Sequence, residues 1–584
     1  MKKYFNITRK KLIVLLMLPS LLFSSCGDDF LKEEPLDFMS PDIAYSSVAG
    51  IQQGLAAFYE RWRFMFYSDG GWTGVSPEGG DRFSLHLGGV GTDVAFHGEN
   101  PGGDRMFSNY EVNLTPESNR VYNIWNPLYI IIQRANTLID VVENSDDEMW
   151  GGDLTKKDEY IAEAKFFRAY SYYFLTSLFG DVPLVLERIS TVKTDFTRAP
   201  VADVMKAMED DLIFGTTNLP LPGDVEEQGR VNQKAAWHLL TQVYLWQDKN
   251  QDAVDAASKV IDGYGSGLMR NRFGSTVDVF GTGDVFLDLH AYGNHDLAEN
   301  TEAIWVIQNT RTDVIGGYNF PGERGFGPAY FRMGNAPDGE KAFVGELYNG
   351  KYTGYLDIYG RPVAWIRPTD YMAYFIWQSD WDNDYRNASH QIIRTFRYQN
   401  PNSTYDGQPV DFNLYEPGTR DWIKDTCQFI YPFFMKHADP NNHFTDPKRS
   451  GGGRNNKNVY AMRLADTYLL RAEAYIILGN QAAAAADINE VRTRSNATPV
   501  AAGDVDIDYL LDERARELYG EEFRQITLRR TGKFLERTRM YNNNPVFPGQ
   551  NVQDRNVLWP IPQDAIDLNI DGNLPQNPGY PGAG

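Results

Sequence analysis

Cysteine is almost missing from this chain: 584 residues carry two, Cys26 and Cys427. A disulfide framework and a cysteine-rich zinc site are excluded, so stability must come from a core, which a chain this long can supply. Basic residues are outnumbered, 56 against 78 acidic, for a formal net charge of −22. That balance disfavours nucleic acid and anionic lipid as partners. Long apolar runs are missing after the first 25 residues, so no later segment has the length of a membrane span. No Gly-x-Ser-x-Gly elbow occurs, and Gly88-Gly89-Val90-Gly91 lacks the Lys-Ser/Thr of a phosphate loop. There are eight histidines. His290 with His295, and His437 with His443, lie near Gly, Pro and Asn, not at the spacing of a zinc helix, and read as solvated loop residues. Asp380-Trp381-Asp382-Asn383-Asp384 alternates carboxylates like a calcium loop, but its sixth and twelfth places hold Tyr385 and Gln391. Asp567 to Gly572 has the right glycine, but Pro578 at the twelfth place cannot ligate through its side chain. No metal, cofactor or catalytic group is expected.

What is present begins at the amino end. Lys2, Lys3, Arg9, Lys10 and Lys11 precede an apolar stretch from Leu12 to Phe23, then Ser24-Ser25-Cys26. This is a secretion signal, too short for a permanent span. Small residues ahead of a cysteine mark a bacterial lipoprotein, with the Cys26 thiol acylated and the body held to a membrane by lipid. Removing the five leader cations takes the charge from −22 to −27. Residues 26–40 read as a polar tether able to reach roughly 40 Å when drawn out.

Helical periodicity follows from Ile43 to Met65, over 121–145, 201–217 and 231–262, and most strongly in the stripe Ile161, Ala164, Phe167, Tyr170, Phe174, Leu178, which ends at Gly180-Asp181-Val182-Pro183. Residues 66–120 read as irregular loops. Two helical hairpins resemble each other: 236–262, turning at Asp248-Lys249-Asn250, and 463–494, turning at Gly479-Asn480. Both are alanine-rich, which lets paired helices approach closely, as in tetratricopeptide packing. Residues 263–460 lose this periodicity. Short strands such as Ala303 to Ile307 alternate with turns there, and a last helix over 507–530 precedes a Pro/Asn-rich tail. The expected fold is mainly α: a tetratricopeptide-like helix-pair scaffold carrying a large loop-rich region with short strands. The expected divisions are 1–25, 26–40, 41–262 and 263–584, the last split at 460/461.

Aromatic residues make up 14% of the chain. Pyranose rings present apolar C–H faces that pack on Trp and Tyr, while Asp, Asn and Arg pair with hydroxyls. The candidates are Trp72, Asp81 and Arg82, then Tyr318, Arg324 and Tyr330, then Trp365, Tyr371, Trp377 and Trp381. Trp377 and Trp381, four apart, would face one way on an α-helix.

Six motifs, in order, resemble the SusD/RagB family of Bacteroidetes outer-membrane lipoproteins. They are Cys26, Asp29-Phe30-Leu31 and Pro35; Ile132 to Ile139; Ala162 to Val185; Arg463 to Arg494; Glu513 to Lys533; and Leu558 to Pro562 running on to Gln576–Tyr580. The resemblance implies a non-enzymatic surface protein that captures oligosaccharides and delivers them to a SusC-like TonB-dependent transporter. The helical face would meet the barrel, and the chain would sit at the outer membrane, lipid-anchored and surface-exposed. A peptide-binding homologue and a surface glycosidase stay open as alternatives. Binding residues do not carry over, because they lie in variable loops.

Overall fold

The computed structural model describes residues 40–67, 87–99, 101, 107–309, 322–440 and 457–582. Its main helices are α1 (Val48–Tyr67), α2 (Asn119–Glu143), α3 (Leu154–Phe179), α4 (Val201–Asn218), α5 (Gln233–Trp246) and α6 (Asn250–Ile261). After a long interval come α7 (Leu464–Ile477), α8 (Gln481–Arg494), α9 (Ile507–Leu518), α10 (Arg524–Arg530) and α11 (Phe534–Tyr541). Successive helices from α2 to α6 pack on one another, and α7 then packs on α6. The helix-pair array is therefore continuous in space and interrupted in sequence. The mainly α, helix-pair expectation holds, with the loop-rich region inserted between two neighbouring hairpins.

Helix α3 is its axle. The Asp153 carboxylate accepts a hydrogen bond from Lys156 N at 3.1 Å and caps the start. Gly180 ends it at φ +74°, a conformation that favours glycine. Every residue from Tyr160 to Phe179 except Lys165 is buried. The apolar stripe is thus only part of the helix's buried surface, because α2 and α4 cover one side and α1 and α10 another. Much of the aromatic surplus is spent here. Trp62 of α1 stacks on Tyr170 with centroids 4.5 Å apart, and Phe66, Phe167, Phe174 and Trp305 close around them. Small residues set the hairpins: Ala253, Ala256 and Ala257 in α6, Ala472 and Ala474 in α7, and Ala484 and Ala485 in α8 are all buried.

The strands among the described residues are short and paired antiparallel in twos. They are β1 (Ala95–His97) with β5 (Ile366–Pro368), β2 (Ala303–Ile307) with β8 (Val459–Arg463), β3 (Leu347–Tyr348) with β4 (Lys351–Tyr352), and β6 (Ile392–Ile393) with β7 (Phe433–Phe434). The β2–β8 pair closes the base of the insertion, where Leu464 N donates to Glu302 O at 2.9 Å. The insertion has its own cores, one around Tyr330, Phe343, Tyr359 and Phe396, another around Trp365, Ile366, Trp377 and Tyr519.

Two expectations are corrected. The helix over 507–530 is broken at Gly520 (φ +78°), where a Cβ would strike the His437 ring, so α9 and α10 are separate. His290, His295 and His437 are not solvated: each is at most 5% exposed, packed against aromatic rings. His443 lies outside the described residues.

The tail returns to the beginning. Trp559 is buried between Phe107 and Phe179, and its backbone N–H donates to Leu178 O at 2.6 Å. Asn577 Nδ2 donates to Phe179 O and Trp559 O, while Arg198 donates to Pro575 O and to Asn577 Oδ1. The would-be calcium loop is part of this seam, with Asp571 accepting from Thr194 Oγ1 at 2.6 Å.

Beneath the insertion lies a buried ionic network. Arg463 bridges Glu302 (2.5 Å), Glu517 (2.6 Å) and Glu521 (2.9 Å). Arg494 pairs with Glu302 at 2.9 Å and with Glu517. Arg386, from the insertion, reaches Glu513 at 2.8 Å and Glu517 at 2.9 Å. Burial alone would raise the Glu517 carboxyl, but Arg494, Arg463 and Arg386 overcome it and hold it at about 2. Burial pushes the three histidines well below 6.5, reinforced by nearby Lys457 and, for His290 and His437, Lys436.

Both shifts act in one direction. The folded state binds fewer protons than the unfolded chain below pH 6.5, at the histidines first and at Glu517 below about 4.5, so stability falls as pH falls. The urea midpoint should drop between pH 7.5 and 5; a flat midpoint over that window contradicts neutral buried histidines. Glu517→Gln leaves three arginines short of a partner and should cost about 3–5 kcal/mol in the same measurement.

Candidate functional site

The sequence candidates separate sharply. Tyr330 is fully buried: its hydroxyl donates to Gly360 O at 2.9 Å and accepts from Leu356 N at 2.6 Å. Trp365 is 4% exposed beneath the Arg324 guanidinium. Trp377 is 2% exposed and donates its indole N–H to Met372 O at 2.8 Å. Tyr371 is buried against Tyr541 at 3.8 Å. None of these four offers a face to a ligand, because each ring fills a core of the insertion. Trp72, Asp81, Arg82, Tyr318 and Cys26 lie outside the described residues.

Trp381 is different. It is 42% exposed and follows the 3₁₀ turn Phe375–Asp380. At about three residues per turn, four residues rotate a side chain roughly 120° out of line, so Trp377 points inward and Trp381 outward. Asp380 anchors the turn, accepting from Thr498 N (2.5 Å), Thr498 Oγ1 (3.0 Å) and Arg492 (3.3 Å). Its carboxylate is held low by these contacts against the opposing effect of burial. The acidic run is therefore a structural brace.

Trp381 forms one wall of an open cleft of about 740 Å³. The β6 residues Ile392 and Ile393 lie at its floor with Tyr398, and Phe280, Leu356 and Ile358 line it too. Polar groups enter from Asn387, Ser389, Arg394, Thr395, Arg397, Gln399 and Asp406. The volume suits a sugar-sized ligand, and the mixture of apolar floor and few polar arms is that of a small-molecule site.

Phe280 is 63% exposed at the tip of a two-residue turn. Val279 and Thr282 exchange both backbone hydrogen bonds, at 2.8 and 3.2 Å, while Phe280 and Gly281 take φ +55° and +78°. That is a turn favouring Asn-Gly, and a phenylalanine there costs roughly 1–2 kcal/mol. The strain keeps an aromatic ring at the mouth of the cleft. The sequence reading missed Phe280; the Phe280-Gly281 pair between two short extended segments was the available sign.

Arg394 sets the Trp381 wall. Its guanidinium lies 4.7 Å from the ring centroid and donates to Ala373 O (3.1 and 2.9 Å), Asn387 O (3.3 Å) and Asn387 Oδ1 (2.6 Å). Burial pushes it down to about 10, partly offset by Tyr374. Asp406 is the one carboxylate among the described lining residues, so the cleft holds no acid pair of the kind glycoside hydrolysis uses. Among the described residues no group of three His, Cys, Asp or Glu side chains could hold a metal ion.

Comparison with known proteins falls in line with this geometry. A family model described as "SusD family" matches residues 301–580, and one described as "Starch-binding associating with outer membrane" matches 97–245. The SusD-like protein P25 of Formosa agariphila is 24% identical over 94% of this chain and 95% of its own length. The starch-binding protein SusD of Bacteroides thetaiotaomicron is 36% identical over 124 residues, 21% of this chain and 22% of that protein. A solved laminarin-binding SusD-like protein superposes with a TM-score of 0.64 at 22% identity, covering 92% of this chain and all of that one. The chain belongs to the SusD family.

Phe280→Asn should relieve the turn and remove the ring together. Its thermal midpoint is expected to equal or exceed wild type; a lower midpoint would show that the ring packs more than it strains.

Proposed function

We propose that this chain is a cell-surface glycan-binding lipoprotein that captures oligosaccharides and delivers them to a SusC-like TonB-dependent transporter. The observation that carries the reading is the cleft, lined by the exposed Phe280 and Trp381 together with the buried Ile392, Ile393 and Tyr398. Relatives described as starch- or laminarin-binding support it, as does a family description that names the outer membrane. Lipid on Cys26 would hold the body at that membrane, and the tether would give it reach. The single carboxylate in the described lining favours binding over hydrolysis.

Each aromatic contact contributes roughly 0.5–1.5 kcal/mol beyond area burial. Two rings and a few hydrogen bonds give single-site affinities on the order of millimolar to micromolar. Repeating units in a polymer raise effective affinity without new contacts. Loose holding suits a protein that must release its cargo to a neighbour.

The test is affinity electrophoresis of the purified mature body across a broad panel of polysaccharides. At least one polymer should retard it, and Trp381→Ala should weaken that retardation five-fold or more with an unchanged thermal midpoint. No retardation by any polymer, or release of reducing sugar, would overturn the reading. Cys26→Ala should move the protein out of the membrane fraction and leave glycan binding intact.

A further inference from the structure

The polar groups of the cleft are unevenly occupied. Asn387 spends its amide on Trp381 O (2.7 Å) and its carbonyl on Arg394 (2.6 Å). Gln399 turns both amide atoms on Gly345, at 2.9 and 3.3 Å. Asp406 accepts from Asn400 N at 2.8 Å. These three groups are partly spent within the protein, which leaves the Ser389 and Thr395 hydroxyls and the second Asp406 oxygen as the neutral and acidic arms.

Arg397 is in the opposite state. Arg394 and Arg397 both line the cleft, and no described carboxylate lies within ion-pair distance of either. Arg397 is exposed and donates one Nη1 hydrogen bond, to Gly407 O at 3.0 Å, leaving the Nε edge of its fork open. Arg394 is stacked on Trp381 and tied to two carbonyls, so its direction is fixed before any ligand arrives. The whole chain carries −22, yet this lining sets two cations against one anion. A protein this acidic repels polyanions in general, so a local cationic wall inside a ring-lined cleft is a selective device.

From these placements we infer that the cleft selects an anionic glycan, one whose pyranose stacks on Trp381 while a carboxylate or sulfate ester on the ring is taken by Arg397, with Arg394 holding the indole from its other face. The open Nε edge of the Arg397 guanidinium matches both anions in geometry. Arg394 covers one face of Trp381, so the sugar takes the other. This inference rests on the glycan-binding reading of the same cleft.

The experiment uses the mature body on native affinity gels and in titration calorimetry. The probes are uronic-acid polymers (polygalacturonate, alginate), sulfated polymers (carrageenan, fucoidan), and neutral ones (starch, laminarin, fully methyl-esterified galacturonan). Retardation by a carboxylated or sulfated polymer and not by the neutral set is expected; which anion retards it identifies the charged group. Binding should weaken at least three-fold between 50 and 300 mM NaCl. Arg397→Gln should weaken it ten-fold or more, Arg397→Lys less, both with an unchanged thermal midpoint. Arg394→Gln, which loosens the Trp381 wall, should also weaken it, and Arg397, being exposed, keeps the test open even where Arg394→Gln unfolds the wall. Binding confined to neutral polymers, or binding lost in Trp381→Ala but untouched by Arg397→Gln, overturns the anionic selectivity and leaves the glycan reading standing. Binding to no polymer overturns both.

Discussion

The structure depends on a charge cluster that has no access to water. Glu302 and Arg463 flank the β2–β8 pair at the base of the insertion, Arg386 lies within it, and Glu513, Glu517 and Arg494 belong to the helices beneath. Each ion gives up hydration worth several kcal/mol on burial, which is recovered only through close partners on both sides. Those partners exist only when the insertion sits on the helix array in one register. The network is therefore a lock with a single setting, where an apolar contact of the same area would tolerate sliding.

That lock explains how a loop-rich region can present a fixed binding surface. The turn carrying Trp381 is tied through Asp380 to Arg492 and Thr498, and Arg492 also bonds Glu513, a member of the cluster. The indole wall is thus two contacts away from the buried charges. Loops held this way act as rigid elements, and ligand contacts need not be assembled at the moment of binding. The strained Phe280 turn belongs to the same economy: a locally costly geometry persists because the surrounding framework over-determines it.

The helices were legible in the sequence because burial against several neighbours imposes a strong pattern, as in α3, and because breakers such as Gly180 and Gly479 stand at their ends. The single helix over 507–530 failed on a local detail, the closeness of Gly520 to His437, which no periodicity reports. The site was far less legible. An aromatic in a loop region has two fates, staple or platform, and the choice rests on tertiary neighbours. Tyr330, Trp365 and Trp377 became staples because small cores inside the insertion needed filling. Trp381 stayed half-exposed because a 3₁₀ turn rotated it away from Trp377. The histidines were misread for the same reason: glycine and asparagine nearby suggested solvent, whereas packing across Tyr460 and Phe326 removed it.

The seam between the tail and the first helices has a temporal side. Trp559 and Ile561 fill the core shared by Trp125, Leu178 and Phe179, so that core is incomplete until the last-made stretch is in place. A ribosome delivers the chain amino end first, so the earliest helices are made some 400 residues before the plug that completes their core. Closure of that core is therefore tied to synthesis of the tail and not to synthesis of the helices it joins.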